Sequence, residues 1–465
     1  MSMRRVRDWL RPARVGLLVA VIVLALLNVP GWVLRLQGPA SLDPPRFPST
    51  IASYSWHTNS LADGEMEAAS LLYQNGVGVE FGDSPMAVLL GADGATYRRL
   101  AQAEARSTPM DQGDPGPSVL SPDGTFVVIG SSGATGDIDV VTLRDGHRRT
   151  LSVGDGRTAM PAAIGPDSQT VLLAVSDEEV NRYAEGERLG LASIDLATGR
   201  MREYPGISDV GGAALSPDGN RIAIIRGDTF EVIDADSGRR ITQLPVEIER
   251  DSRCYEDEGY EDEGYEDETV DDGEESEDGE EAETSPDAEN GATADDASED
   301  DDGYTCPELS LDGDAWSPDG RRIAATLGTT VLVADFSGAE PSLRRLPLET
   351  PDYWGAVLGW RDDSTVLVHA PTDGDANNAE LLWVDVVNGS WQTFATYRPN
   401  FTGAAMASVD AARDLIPRWQ VESRPVDRGP LPWWAALLRA VAAGLLAMLL
   451  TAVVRRRLLR PGAPH

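Results

Sequence analysis

The 465-residue chain contains no lysine; all 39 of its basic residues are arginine. Alanine, glycine, aspartate and valine are abundant beside them, which reads as the codon supply of a GC-rich genome, not as a chemical requirement. A salt-adapted proteome is the competing explanation, but its acids would be spread over the whole surface. Positive net charge is lacking as well. The formal net charge is -38, which would repel a phosphate backbone and argues against nucleic acid as a partner. Histidine is scarce: His57, His147, His369 and His465. No two of them stand at metal-ligand spacing and no H-E-x-x-H occurs, so no metal site is expected. His147 falls in a hairpin turn and His369 ends an apolar strand, which explains both without chemistry. No G-x-S-x-G elbow, P-loop or dinucleotide fingerprint is present. No catalytic residue and no cofactor is therefore expected, although a site assembled from distant residues stays open.

The acids are unevenly placed. Residues 256–302 hold 26 of the 77 acidic residues and no base, leaving 51 acids against 39 bases elsewhere. The block opens with Tyr-Glu-Asp-Glu repeats at Tyr255, Tyr260 and Tyr265 and ends on Asp300-Asp301-Asp302. With so little apolar surface, residues 255–305 are expected to be disordered. Loose divalent-cation binding or contact with a basic partner are the functional readings, and a solvated, self-repelling loop is the plain one. No loop with calcium-ligand spacing and a turn glycine occurs. The chain's two cysteines, Cys254 and Cys306, flank this block. Exported proteins commonly pair their cysteines, and a disulfide here would pinch the loop at its base. Free thiols are the alternative.

Two apolar runs bound the chain. Residues 15–34 follow a tail, 1–14, carrying Arg4, Arg5, Arg7, Arg11 and Arg14. Residues 431–454 precede Arg455, Arg456, Arg457 and Arg460 in the tail 455–465. About 20 helical residues cross the hydrocarbon core, so each run is expected to be a transmembrane helix. Basic flanks stay in the cytoplasm, which places both termini inside and the region between outside. A cleaved signal peptide is the rival for the first run, but no small-x-small site directly follows it. Arg439 interrupts the second run and is expected to snorkel, or to face the first helix or a partner. Ala440, Ala443, Gly444 and Ala447 offer small-x-x-x-small pairs for close helix packing.

The region between carries a repeat. Ser121-Pro122-Asp123-Gly124, Ser216-Pro217-Asp218-Gly219 and Ser317-Pro318-Asp319-Gly320 each precede an alternating apolar run. Degenerate copies begin at Gly165 and Arg361, with weaker echoes at Leu61-Ala62-Asp63-Gly64 and Val409-Asp410-Ala411-Ala412. Proline presets the turn, aspartate caps it and glycine accepts positive φ, which explains these aspartates without a carboxylate ring. A second turn follows some 20 residues later, as at Asp145-Gly146, Asp195–Gly199, Asp234–Gly238, Asp335–Gly338 and Asp385–Gly389. Strand, turn, strand, loop, strand, turn, strand is a four-stranded antiparallel sheet, the unit of a propeller blade. The interval from 216 to 317 is doubled, and removing residues 255 to 306 restores the period. The acidic block is thus an insertion between two blades.

The SPDG pattern over residues 46–423 resembles the WD40-like repeats of the TolB-type β-propeller family. The whole layout is similar to membrane-anchored propeller proteins of high-GC Gram-positive bacteria, a likeness that carries no known activity. The resemblance implies an all-β propeller, seven blades preferred and six the alternative, with residues 46–56 as the candidate strand closing the ring. The expected function is a non-enzymatic, membrane-anchored extracytoplasmic binding or scaffold module for a protein partner at the cell envelope. An envelope-polymer hydrolase or lyase with its site in the channel is one alternative. A cation-responsive sensor using weak divalent-cation binding by the acidic loop is the other.

Overall fold

The computed structural model describes residues 14–23, 25, 43–55, 57–76, 86–111, 113–181, 189–248, 309–338, 340–348, 355–372, 378–399, 405–429 and 433–458. It falls into two units, and the second, Glu247–Pro307, lies almost wholly outside these residues. The acidic insertion, Cys254 and Cys306 are therefore outside the described residues.

A short apolar helix, α1 (Arg14–Val23), precedes the strands β1 (Arg46–Phe47) and β2 (Thr50–Ile51). The first blade takes β3 (Ala69–Asn75), β4 (Met86–Gly91) and β5 (Tyr97–Arg99), and a helical turn, α2 (Ala101–Glu104), leads out of it. Blade 2 is β6 (Ser118–Leu120), β7 (Phe126–Ile129), β8 (Asp137–Thr142) and β9 (Arg148–Ser152). Blade 3 is β10 (Thr158–Ile164), β11 (Thr170–Ser176), β12 (Gly190–Asp195) and β13 (Met201–Glu203). Blade 4 is β14 (Gly212–Leu215), β15 (Arg221–Arg226), β16 (Thr229–Asp234) and β17 (Arg240–Pro245). Blade 5 is β18 (Leu309–Ser310), β19 (Arg322–Leu327), β20 (Thr330–Asp335) and β21 (Ser342–Pro347). Blade 6 is β22 (Ala356–Asp362), β23 (Thr365–Pro371), β24 (Ala379–Asp385) and β25 (Trp391–Tyr397). Then come β26 (Met406–Ala411), β27 (Gln420–Val421) and α3 (Trp433–Leu458).

Within blades 2 to 6 the strands pair in chain order and antiparallel. The middle strands are buried and mostly apolar because each blade is covered on both faces by its neighbours. Thus β15 and β16 are buried over four consecutive residues, whereas the outer strand β17 alternates towards solvent. Burying a Val, Leu or Ile side chain contributes about 1.5–3 kcal/mol, so the inter-blade seams carry the stability.

The ring has six blades, not the seven that were preferred. The reason is how it closes. β26, near the carboxyl end, is the innermost strand of blade 1, antiparallel to β3 with Met406 opposite Asn75 and Ala411 opposite Leu71. The echo at Val409–Ala412 ends this strand, and the echo at Leu61–Gly64 stands just before β3. Those two motifs are halves of one blade supplied from opposite ends of the chain. Residues 46–56 do not close the ring. With the inner position taken by β26, β2 adds a fifth, outer strand to blade 6, parallel to β25. β1 instead pairs in parallel with β27.

Among the described residues one helix is long and apolar enough to cross a membrane, α3, with mean hydropathy 2.3 over Leu437–Val454. Most of the first expected span beyond α1 lies outside the described residues. α1 lies against α3: a Cβ placed on Gly444 would meet the Gly16 carbonyl at 2.7 Å and Ala20 Cβ at 3.0 Å. A Cβ on Gly16 would meet the Gly444 carbonyl at 2.7 Å and Met448 Cβ at 3.1 Å. Rising numbers in α1 meet falling numbers in α3, so the helices are antiparallel.

Candidate functional site

The SPDG residues turn inward on their own backbone. Ser121 Oγ donates to Asp123 at 2.8 Å and accepts the Phe126 amide at 3.0 Å, while Asp123 accepts the Thr125 amide. Ser216 donates to Asp218 at 2.5 Å, and Ser317 to Asp319 at 2.6 Å. The Ser216 hydrogen bond is the main reason the Asp218 carboxyl lies below its usual range. Gly124, Gly219 and Gly320 have φ of 74°, 71° and 67°, while Pro122, Pro217 and Pro318 occupy the turn position before each aspartate. These aspartates sit in separate turns and do not converge.

Arginines between the turns are a feature the sequence reading missed. Arg149 donates to the Leu196 carbonyl at 2.5 Å, Arg202 to Ala235 and Asp236 at 3.2 Å, and Arg344 to Val386 at 3.0 Å. Each is in register within the outer strand of its blade, opposite Val140, Ser193 and Val333. Each reaches the outer turn of the next blade. The signal was present as an arginine shortly after the second turn, but only the ring shows what it reaches.

The central channel holds a second unforeseen constellation. In blade 5 the inner strand stops at Ser310, and residues 311–314 form a strap before Ala315 rejoins the sheet, accepting the Ala324 amide at 2.9 Å. A Cβ on Gly313 would stand 2.9 Å from the Ala162 carbonyl and 3.0 Å from Ala163 Cβ, both in blade 3. Asp312 accepts the Val357 amide of blade 6 at 2.9 Å. Asp314 pairs with Arg413, beyond β26, at 2.8 Å. The Trp360 indole donates to the Ala315 carbonyl at 2.8 Å and the Trp316 indole to Ala214 at 3.1 Å. Asp410 in β26 accepts the Leu120 amide of blade 2 at 2.6 Å.

Three partly buried carboxylates and one guanidinium therefore lie close enough for their charges to interact. Burial lifts Asp312 to about 7, Asp314 to about 6 and Asp410 to about 8. Hydrogen bonds from backbone amides and the charge of Arg413 oppose the rise, and the neighbouring carboxylates add to it. All three keep some accessible surface, with Asp314 13% exposed. Sequence spacing did not reveal them, since two lie on the strap and the third a hundred residues away.

Both legs of the chain meet at the seam between blades 6 and 1. Arg428 donates to Thr58 at 2.8 Å and to the Ser53 carbonyl, and lies 5.5 Å over the Tyr97 ring. Burial pushes the Tyr97 phenol up to about 12 and the Arg428 guanidinium down. The Tyr97 amide donates to Asp427 at 2.7 Å. Arg98, in the register of the inter-blade arginines, is buried and holds Asp427 instead. In α3, Arg439 lies 3.3 Å from His57, so it meets the propeller seam. Burial, then Arg439, lowers the His57 pKa. His147 is exposed in its turn. His369 is buried in β23, where burial alone lowers it to about 4. His465 is outside the described residues.

No family model matches the chain, and no curated protein does. Among solved structures it is similar to one described as TolB from Agrobacterium tumefaciens, at 14% identity and a TM-score of 0.38, over 63% of this chain and 88% of that one. It is also similar to the β-propeller domain of Cps50 (Swd1) from Myceliophteria thermophila, at 13% identity and a TM-score of 0.35, over 61% of this chain and 72% of that one. At these values the likeness adds nothing to the strand pairing, on which the six-bladed propeller stands by itself.

Proposed function

We propose that the chain is a membrane-held, non-enzymatic scaffold that presents a rigid propeller outside the cytoplasm to a protein partner of the cell envelope. The observation that carries this is the seam. Both legs are hydrogen-bonded into blades 1 and 6, and the apolar helix α3 leaves from the same place. Such a disc is held at its rim, and the loops on both faces stay free to bind. α1 as a second span, with both termini inside, belongs to the same reading. It is supported by the basic flanks and by the antiparallel contact at Gly16 and Gly444. Proximity labelling from the propeller in native membranes tests it. A discrete set of envelope neighbours is expected, and labelling no different from that of an unrelated anchored domain overturns it. Protease added to intact cells should cut the region between the helices.

A channel hydrolase or lyase is the second reading, because three carboxyls with pKa values near neutrality suit acid and base work. Against it, each already holds a backbone amide or an arginine. The cation-sensor reading rests on residues 255–305, outside the described residues. Among the described residues no three His, Cys, Asp or Glu side chains are placed to hold a metal ion.

A further inference from the structure

We propose that closure of the ring is proton-coupled: the strap and the closing strand are held together by carboxyl groups that share too few positive charges to be ionised all at once. Asp410 belongs to β26, which completes blade 1 from the carboxyl end, and its carboxylate takes the Leu120 amide of blade 2 at 2.6 Å and the Ala411 amide at 2.8 Å. Asp312 ties the strap to blade 6 through Val357 at 2.9 Å, and Asp314 ties it to Arg413 at 2.8 Å. Three of the ring's closing contacts thus end on carboxyls of one small space.

Among the described residues the charges facing that space are few. From the strap come Asp312 and Asp314, from the closing strand Asp410, and from the segment after it Arg413 and Asp414. Asp414 is 55% exposed and lies 3.9 Å from Arg413. The strands β3 and β6 bring no charged side chain. On β22, Arg361 lies over Trp383, 5.6 Å from its ring, and Asp362 accepts the Ser364 amide, so both are engaged at the turn. One guanidinium therefore balances up to three partly buried carboxylates, and removing protons from all three sets like charges against each other.

The sign follows. Each carboxyl binds its proton more tightly in the folded ring than in the unfolded chain, where it titrates near 3.9. The stability this contributes is complete below about pH 4 and is lost as pH rises through about 6, 7 and 8. The loss falls on the closing strand and strap, leaving the other blades intact. Ring closure is then firm in mildly acidic surroundings and loosens in alkaline ones.

Hydrogen exchange on the full chain in detergent micelles tests this, with rates corrected for the intrinsic effect of pH. Protection of residues 118–120, 357 and 406–411 should fall about tenfold or more between pH 6 and pH 8.5, while residues 221–234 of blade 4 hold theirs. Asp410→Asn keeps an oxygen for the Leu120 amide but cannot ionise, and the fall in protection at residues 118–120 should be smaller in it than in the parent. If that variant does not fold, Asp312→Asn supports the same comparison at Val357. No decline in the parent, an equal decline in blade 4, or a decline unchanged in the foldable variant overturns the proposal.

Discussion

Small side chains decide most at the scale of single residues. Ser216 has no exposure, yet its hydroxyl joins Asp218 to the Arg221 amide at 2.5 and 3.0 Å. Ser216→Ala leaves a buried amide and a carboxylate short of a partner, and should cost about 1–3 kcal/mol. The denaturant midpoint reads this, and an unchanged midpoint would show that the turn does not need the hydroxyl. Gly313 is the counterpart in the channel, where even one methyl meets the backbone of blade 3. Gly313→Ala should destabilise by about 1–3 kcal/mol, since the clash is with a fixed carbonyl. Wild-type melting behaviour in that variant would mean that the strap does not press on blade 3. The turn serines were legible in the sequence because the chemistry is local. Gly313 was not, since nothing in LDGDA says which strand lies opposite.

Elements show the same division. The blades were readable as units because each is a local meander with its own turn residues. The closing element was not, since β26 pairs with a strand more than three hundred residues earlier. Counting turns double-counted the one blade whose halves come from opposite ends. The helix pair is a case in which the sequence hinted at a surface and the structure supplied its occupant. Ala440 and Gly444 are buried, and Leu445, Leu446, Leu449 and Leu450 point outward. In a background with Cys254→Ser and Cys306→Ser, the pair Ala20→Cys and Gly444→Cys should form a disulfide under mild oxidation. Val21→Cys, on the exposed side of α1, should not do so with Gly444→Cys. Equal yields from both pairs would dismiss the helix contact.

For the whole molecule, the expectation is that the ring depends little on its insertion. β17 and β18 belong to consecutive blades, so the chain need only return to nearly where it left. Each doubling of a flexible loop costs about 0.6 kcal/mol. Replacing residues 255–305 with a short Gly-Ser link should therefore leave the melting temperature within a few degrees and the β spectrum unchanged. Loss of cooperative unfolding would show instead that the insertion helps to hold blades 4 and 5 together.

The sequence by itself determined the blade unit, the period, the turn chemistry and the apolar terminal runs, because each depends on neighbours within a few tens of residues. Only the tertiary structure decided the blade number, the closing strand, the arginines that reach from blade to blade and the carboxyls gathered in the channel. Those depend on which distant segments face each other once the ring is shut. Closure brings the carboxyls together in a way that no spacing along the chain records.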